Sequence, residues 1–168
     1  MRRCGISSII IDGYNLIGIS HKDLRKQRVL LIESLISYRG KKDHEITVVF
    51  DGWRTGPGQE NTIVAAGIKI IYSGIGENAD NVIKRIISSN RQEWFVVTSD
   101  RDIAMHAWSS GSIPISSADF LNAVDKTGRD ILQEDQDDKE ETATASRKGN
   151  PRKLSKKERA VRRALSKL

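Results

Sequence analysis

Cysteine is almost absent from this sequence of 168 residues, in which Cys4 is the only thiol. One thiol cannot form an intramolecular disulfide, and it cannot supply the cysteine cluster of a structural zinc site. The three histidines, His21, His44 and His106, have no metal-ligand spacing, and we interpret them as surface or helix residues. The scarcity of cysteine is typical of a reducing compartment, and we therefore expect a cytoplasmic protein.

Long apolar runs are also absent. No segment approaches the roughly 18 apolar residues that a membrane-spanning helix needs, and residues 1–6 lack the apolar stretch of a signal peptide. A hydrophobic content of 38% is enough for one ordinary core, of roughly 100 to 150 residues. We expect a soluble protein with one main domain, at residues 1–125, and no membrane association.

The formal net charge of +6 is unevenly distributed along the chain. Residues 134–141 are densely acidic, whereas nearly all charged residues in the segment 147–168 are basic. Such a basic segment can bind nucleic acid through counterion release, or an anionic membrane through Coulomb attraction. It can also be a solvated segment that only aids solubility. The composition leaves these three interpretations open.

Apolar runs alternate with segments of helical periodicity. Strands are predicted at residues 6–11, 45–50, 68–72, 94–98 and 113–115, and helices at 23–38, 79–89, 99–108 and 117–124. Alternation of this kind favours a three-layer α/β/α sandwich around a central, mainly parallel sheet. The fold class predicted from the sequence is therefore α/β.

A charged, partly disordered tail is predicted beyond the main domain. Residues 126–150 are rich in charge and small polar side chains, which is typical of a flexible linker. Residues 151–168 are predicted to contain a short basic amphipathic helix, because Ser155 and Glu158 have the spacing of a capping box. Its apolar face would comprise Val161, Ala164, Leu165 and Leu168. An isolated helix this short is marginal, so we expect it to fold on a partner.

Three of the predicted strands end on an aspartate, at Asp12, Asp51 and Asp100. Since ligands of parallel sheets bind beyond the carboxyl ends of the strands, we expect these side chains to converge. Clustered carboxylates repel one another unless a cation compensates, so the pattern predicts a divalent-metal site suited to phosphate chemistry. Asp80 is the fourth candidate metal ligand, and Glu77, Asp102 and Asn15 lie nearby in sequence.

Each of these residues also has a simpler interpretation. An aspartate at a strand end often caps the following helix or turn, and Asp80 would complement a helix dipole. Asp102 fits a solvent-exposed residue in the first turn of a helix, and Asn15 could stabilise a turn or contact either substrate or a metal ligand. Recurrence at three strand ends is the observation that favours a shared site.

Two other site types match the sequence only in part. Residues 74–79, with the sequence GIGENA, fit the G-x-G-x-x-G/A pattern of dinucleotide-binding loops. Glu77 and Asp80 would however place negative charge where the pyrophosphate must bind. A haloacid-dehalogenase-like phosphatase usually has a second aspartate two residues after the first, where this chain has Tyr14.

Four short motifs in order resemble the YacP-type NYN domains, a branch of the PIN-like nucleases. They are DGYN at residues 12–15, VVFDG at 48–52, ENAD at 77–80 and VTSD at 97–100, and the resemblance spans about residues 6–124. It implies a PIN-like fold and an endoribonuclease site that uses Mg²⁺ or Mn²⁺. It further implies that Asp12, Asp80 and Asp100 hold the metal and are catalytic, with Asp51 and Asn15 lining the site.

The resemblance and the residue pattern together predict a metal-dependent endoribonuclease. Its substrate would be single-stranded RNA, and its relatives imply messenger RNA in association with the ribosome. A catalytically silent RNA- or ribosome-binding module is the alternative. Asp51 is a further candidate metal ligand, and Asn15, Glu77 and Asp102 are candidates for substrate contact or for supporting the metal ligands. The candidate RNA-binding residues are Lys22, Arg25, Arg54, Arg101, Arg152, Lys153, Lys156, Lys157, Arg159, Arg162 and Arg163.

Overall fold

A computed structural model describes residues 6–18, 23–52, 59–89, 92–129 and 154–168. Its six strands are β1 Ser8–Asp12, β2 Glu45–Phe50, β3 Asn61–Ala65, β4 Ile68–Tyr72, β5 Trp94–Val97 and β6 Ile113–Ile115. They form one sheet in the order β3-β4-β2-β1-β5-β6. All neighbouring strands are parallel except β3 and β4, which are antiparallel. The predicted α/β fold with a mainly parallel central sheet is confirmed.

Helices cover both faces of this sheet. They are α1 Gly13–Ile17, α2 Leu24–Lys41, α3 Ala79–Ser89, α4 Arg101–Ser109, α5 Ser117–Arg129 and α6 Lys156–Leu165. Helices α1, α2, α5 and α6 pack on one face, and α3 and α4 on the other. Among the described residues, no helix combines the length and apolarity needed to cross a bilayer.

Strand β1 lies in the middle of the sheet and explains how the layers form. Ile9 and Ile11 face the α2 side, Ile10 faces the α3 side, and all three are fully buried. A continuous apolar run is what a parallel strand buried on both faces requires. Asp12 follows directly at the carboxyl end of the run, so a strand buried on both faces places its carboxylate at the edge of the sheet.

The sequence did not predict β3, which pairs with β4 as a hairpin. Ala66 and Gly67 form the turn between them and both have positive φ, at 48° and 81°. Two-residue hairpin turns of type I′ need this conformation and favour Asn-Gly or Asp-Gly. Ala-Gly gives no such signal, which is why the sequence predicts only one isolated strand in this region.

Two helices also differ from the prediction. Helix α1 was not predicted, because five residues are too few to show a periodic pattern. Helix α5 was predicted to stop at Val124 but continues to Arg129. The first residues of the segment 126–150, predicted as a linker, are therefore helical, while residues 130–153 lie outside the described part of the chain.

Helix α6 packs against the domain. The predicted capping box is present, and Ala164 and Leu168 are buried in the same core cluster as β1 and α2. The Tyr38 hydroxyl donates to the Leu168 carbonyl oxygen over 2.9 Å, and His44 Nε2 lies 3.1 Å from the Lys167 carbonyl oxygen. His44 is buried, which corrects its interpretation as a surface or helix residue.

Candidate active site

A pocket of about 330 Å³ lies beyond the carboxyl ends of β1, β2 and β5. Asp12, Asp51 and Asp100 reach it from the ends of these strands, and Asp80 reaches it from the first turn of α3. The remaining lining residues are Tyr14, Asn15, Gly18 and Ala79. The structure therefore brings together the four aspartates that the sequence proposed as metal ligands.

The three strand-end aspartates are held in place by backbone amides. The Oδ1 atom of Asp12 accepts the Asn15 N–H over 3.2 Å, and that of Asp51 accepts the Ala79 N–H over 2.6 Å. Asp100 Oδ1 accepts two N–H groups at the start of α4, the shorter bond being 2.7 Å. Each carboxylate thus uses one oxygen to cap the start of a helix and has its second oxygen left to line the pocket.

The pocket is electrostatically unfavourable for its own carboxylates. Burial raises the pKa of Asp12 from 3.8 to about 6, against the lowering effect of the Asn15 N–H, and the charges of Asp80, Asp51 and Asp100 raise it further. The pKa of Asp80 is also raised, first by burial and then by Asp100, although Lys84 opposes the shift. A bound cation would relieve this repulsion.

The donor set fits a hard divalent cation that keeps part of its water shell. Carboxylate oxygens are the ligands that Mg²⁺ and Mn²⁺ prefer. In the described part of the chain, no three carboxylate, imidazole or thiol groups are placed to hold one ion together. Two carboxylates and several waters are a common way for proteins to bind Mg²⁺. Asp12, Asp80, Asp100 and Asp51 are the residues that would supply them.

Asn15 has a fixed orientation in the pocket. Its Oδ1 atom accepts the Ser99 N–H and the Ser117 hydroxyl, both over 2.8 Å. Because a backbone N–H can only donate, the amide oxygen must face Ser99, and the NH₂ group is left to donate elsewhere. Asn15 therefore joins α1 to the starts of α4 and α5 and offers a hydrogen-bond donor beside the carboxylates.

Glu77 and Asp102 do not line the pocket. Glu77 pairs with Arg85 over 3.4 Å, and Asp102 pairs with Lys84. The Lys84 ammonium lowers the pKa of the Asp102 carboxyl. Both acids therefore lie in ion pairs on the α3–α4 side, although the sequence placed them with the candidate site.

The loop at residues 74–79, which fits the dinucleotide-binding pattern, is followed by a helix start that already contacts a carboxylate of the protein. Its last residue, Ala79, donates its N–H to Asp51, so the start of α3 faces a carboxylate where a pyrophosphate would have to bind. The charge of Asp80 adds to this obstacle. The structure gives no support to a dinucleotide site there.

Few candidate RNA contacts lie near the pocket in the described structure. Arg101 begins α4 directly after Asp100, and Arg25 lies in the first turn of α2; both are exposed. Lys22, Arg54, Arg152 and Lys153 lie outside the described residues. Tyr14 was missed as a lining residue; it packs edge-on against Phe50 with ring centroids 5.3 Å apart, and only its place in the DGYN motif pointed to it.

The family model of the YacP-like NYN domain matches residues 9–165. The chain belongs to the YacP-like NYN domain family. This family is a branch of the PIN-like nucleases, which places the carboxylate pocket in a fold used for nucleic-acid hydrolysis. The match includes α6, whereas the motifs alone suggested that the resemblance would end near residue 124.

Two solved structures are similar to this NYN domain. The crystal structure of Rae1 (YacP) from Bacillus subtilis has 25% sequence identity and a TM-score of 0.63, covering 77% of this chain and 79% of that one. The crystal structure of a mutant of that protein, in which leucine replaces a tryptophan, has 25% identity and a TM-score of 0.62, covering 76% and 80%. The search of curated proteins found no match.

Proposed function

We propose that this NYN domain is a metal-dependent endoribonuclease that hydrolyses phosphodiester bonds in single-stranded RNA. The observation that carries the proposal is the convergence of four aspartates on one pocket in which the pKa of Asp12 is raised to about 6. Such a pocket favours a cation, and a phosphodiester brings the negative charge that the cation then binds. The family resemblance supports messenger RNA in a translation-linked context as the substrate.

The residues of the pocket would have separate roles in this reaction. Asp12, Asp80 and Asp100, with Asp51 beside them, would hold one or two Mg²⁺ or Mn²⁺ ions, with waters completing each coordination shell. Such an ion would supply Lewis-acid chemistry, namely activation of water at neutral pH and stabilisation of charge on the phosphate. Asn15 donates a hydrogen bond that orients the phosphodiester, while the backbone amides fix the carboxylates.

Cleavage of an unstructured RNA tests this proposal. The parent protein should cut in Mg²⁺ or Mn²⁺ and stop in excess EDTA, whereas the Asp12→Asn, Asp80→Asn double variant should not cut. Asp43→Asn is the matched control, because Asp43 is exposed and precedes β2 at the opposite end of the sheet. Cutting by the double variant at the parent's rate would show that the pocket is not responsible.

A catalytically silent RNA- or ribosome-binding module is the second candidate. It is favoured by the exposed basic side chains of α6, which can bind RNA without any metal. This alternative expects RNA or ribosome binding by the parent protein without cleavage in any divalent metal. Metal-dependent cutting that the double variant lacks would reject it.

Asn15→Asp should separate two roles of that side chain. Aspartate keeps both acceptor bonds, to Ser99 and Ser117, but loses the NH₂ donor and adds a charge. If the donor orients the phosphodiester, we expect about 10- to 100-fold slower cleavage, the range found for residues that support metal sites. Single-turnover rates, with circular dichroism to confirm folding, would measure this. A parent-like rate would show that Asn15 only joins the surrounding elements.

A further inference from the structure

We propose that the exposed side of α6 is a docking surface for the phosphate backbone of RNA, separate from the carboxylate pocket. This α6 basic face consists of Lys156, Arg159, Arg162 and Arg163, all of which are exposed. The inference rests on the proposed RNA substrate. It adds that RNA outside the cleaved stretch binds at a second place on the domain.

Within the described residues, no ion pair neutralises the charges of the α6 basic face. The single acid on the helix, Glu158, caps its start by accepting the Ser155 N–H over 2.7 Å. The ion pairs recorded between described residues involve Lys84 and Arg85, and none involves α6. Cations held together without counter-charges create a positive potential, which favours binding of a polyanion and release of its counterions.

The packing of α6 distinguishes between nucleic acid and an anionic membrane. A helix that binds a membrane surface inserts its apolar face among the lipids. In this protein that face is already used, because Ala164 and Leu168 are 1% and 5% exposed and Val161 and Leu165 pack on the core. The helix can therefore offer only its charged side to a partner, which favours the phosphate backbone of RNA.

The α6 basic face lies at the opposite end of the sheet from the pocket. Lys157 Nζ lies 5.4 Å from the ring centroid of Trp108, near the end of α4, and the Lys167 carbonyl contacts His44, which precedes β2. These residues mark the amino ends of the strands, whereas the pocket lies at the carboxyl ends. A six-residue strand spans about 20 Å, so a tetranucleotide cut at its centre would not reach α6.

RNA length provides the test. Fluorescence anisotropy in EDTA, at several salt concentrations, would measure binding of an unstructured 30-nucleotide RNA, and single-turnover cleavage in Mg²⁺ or Mn²⁺ would measure how the pocket uses a tetranucleotide. For the Arg159→Gln, Arg162→Gln, Arg163→Gln variant we expect the Kd of the long RNA to rise about tenfold or more, and its log–log salt slope to shrink by about 2. The cleavage rate of the tetranucleotide should not change. Lys69→Gln, an exposed lysine on β4, is the control for loss of one charge.

Three outcomes would overturn the inference. Unchanged affinity and salt slope for the long RNA would show that α6 is merely solvated. A matching fall in the cleavage rate of the tetranucleotide would place α6 on the path of the cleaved stretch. Co-sedimentation of the parent with phosphatidylcholine–phosphatidylserine vesicles would indicate a membrane partner. Because binding is measured without metal, a failure here is distinct from failure of the proposed nuclease activity.

Discussion

Asp12→Asn should make the metal-free protein more stable at neutral pH while removing its response to metal. Asparagine has the shape of aspartate and can still accept the Asn15 N–H, but it carries no charge into a site that is 8% exposed. The pKa of Asp12, about 6 in the fold against 3.8 in the reference state, makes ionisation unfavourable there. The variant should gain about 3 kcal/mol in the free energy of unfolding at pH 7.

The raised pKa of Asp12 determines how the stability difference between the variant and the parent depends on pH. The folded state holds the Asp12 proton more tightly than the unfolded state, so it binds more protons between about pH 4 and 6. The parent therefore loses stability as pH rises through this window. Asp80, whose pKa is also raised, adds to the loss. The difference between Asp12→Asn and parent should be near zero at pH 4 and reach its full size by pH 7.

Urea denaturation in EDTA between pH 4 and 8 would measure this difference. Addition of Mg²⁺ or Mn²⁺ should then raise the melting temperature of the parent, because a ligand that binds only the folded state stabilises it. The variant should respond less. A pH-independent difference between the two proteins would contradict the raised pKa, and equal responses to metal would contradict Asp12 as a ligand.

The convergence of the aspartates could be predicted because it follows from strand order and direction alone. Apolar runs that end on Asp12, Asp51 and Asp100 read as buried parallel strands, and parallel strands share one carboxyl edge. The position of Asp80 in the first turn of a helix fitted a simple helix-dipole role equally well, and its role as a metal ligand was what the resemblance of the ENAD motif implied. The sequence could not show that the same Oδ1 atoms also cap helices, since that depends on the exact path of each loop.

Glu77 and Asp102 show that proximity in sequence does not determine which way a side chain points. Each lies within three residues of a pocket aspartate, yet each turns away to pair with a basic residue on α3. Their direction depends on how α3 packs against α4, a long-range contact without a local pattern. The same holds for α6, whose amphipathic face was predictable but whose packing surface on its own domain was not.

The largest structural effect is expected from Gly52→Ala, next to Asp51. A Cβ atom at this position would lie 1.9 Å from the backbone carbonyl oxygen of Ser73, where no side-chain rotation can make room. The Gly52 N–H also donates to the Ser73 hydroxyl over 3.1 Å. The end of β2 must then move away from β4, which should lower the free energy of unfolding by about 1 to 3 kcal/mol.

This movement should also reach the pocket, because the Asp51 carboxylate is held by the Ala79 N–H only while the end of β2 keeps its place. We expect Gly52→Ala to lose cleavage as well as stability. Gly40→Ala is the matched control: Gly40 is helical and its Cβ would meet open space, so alanine should stabilise α2 by about 0.5 to 1 kcal/mol. Chemical denaturation of both variants, and RNA cleavage by both, would measure these effects. Parent-like stability and cleavage in Gly52→Ala would mean that the contact between Gly52 and Ser73 does not position Asp51. The added methyl group can displace Asp51 only if the Ser73 backbone is held rigidly against Gly52.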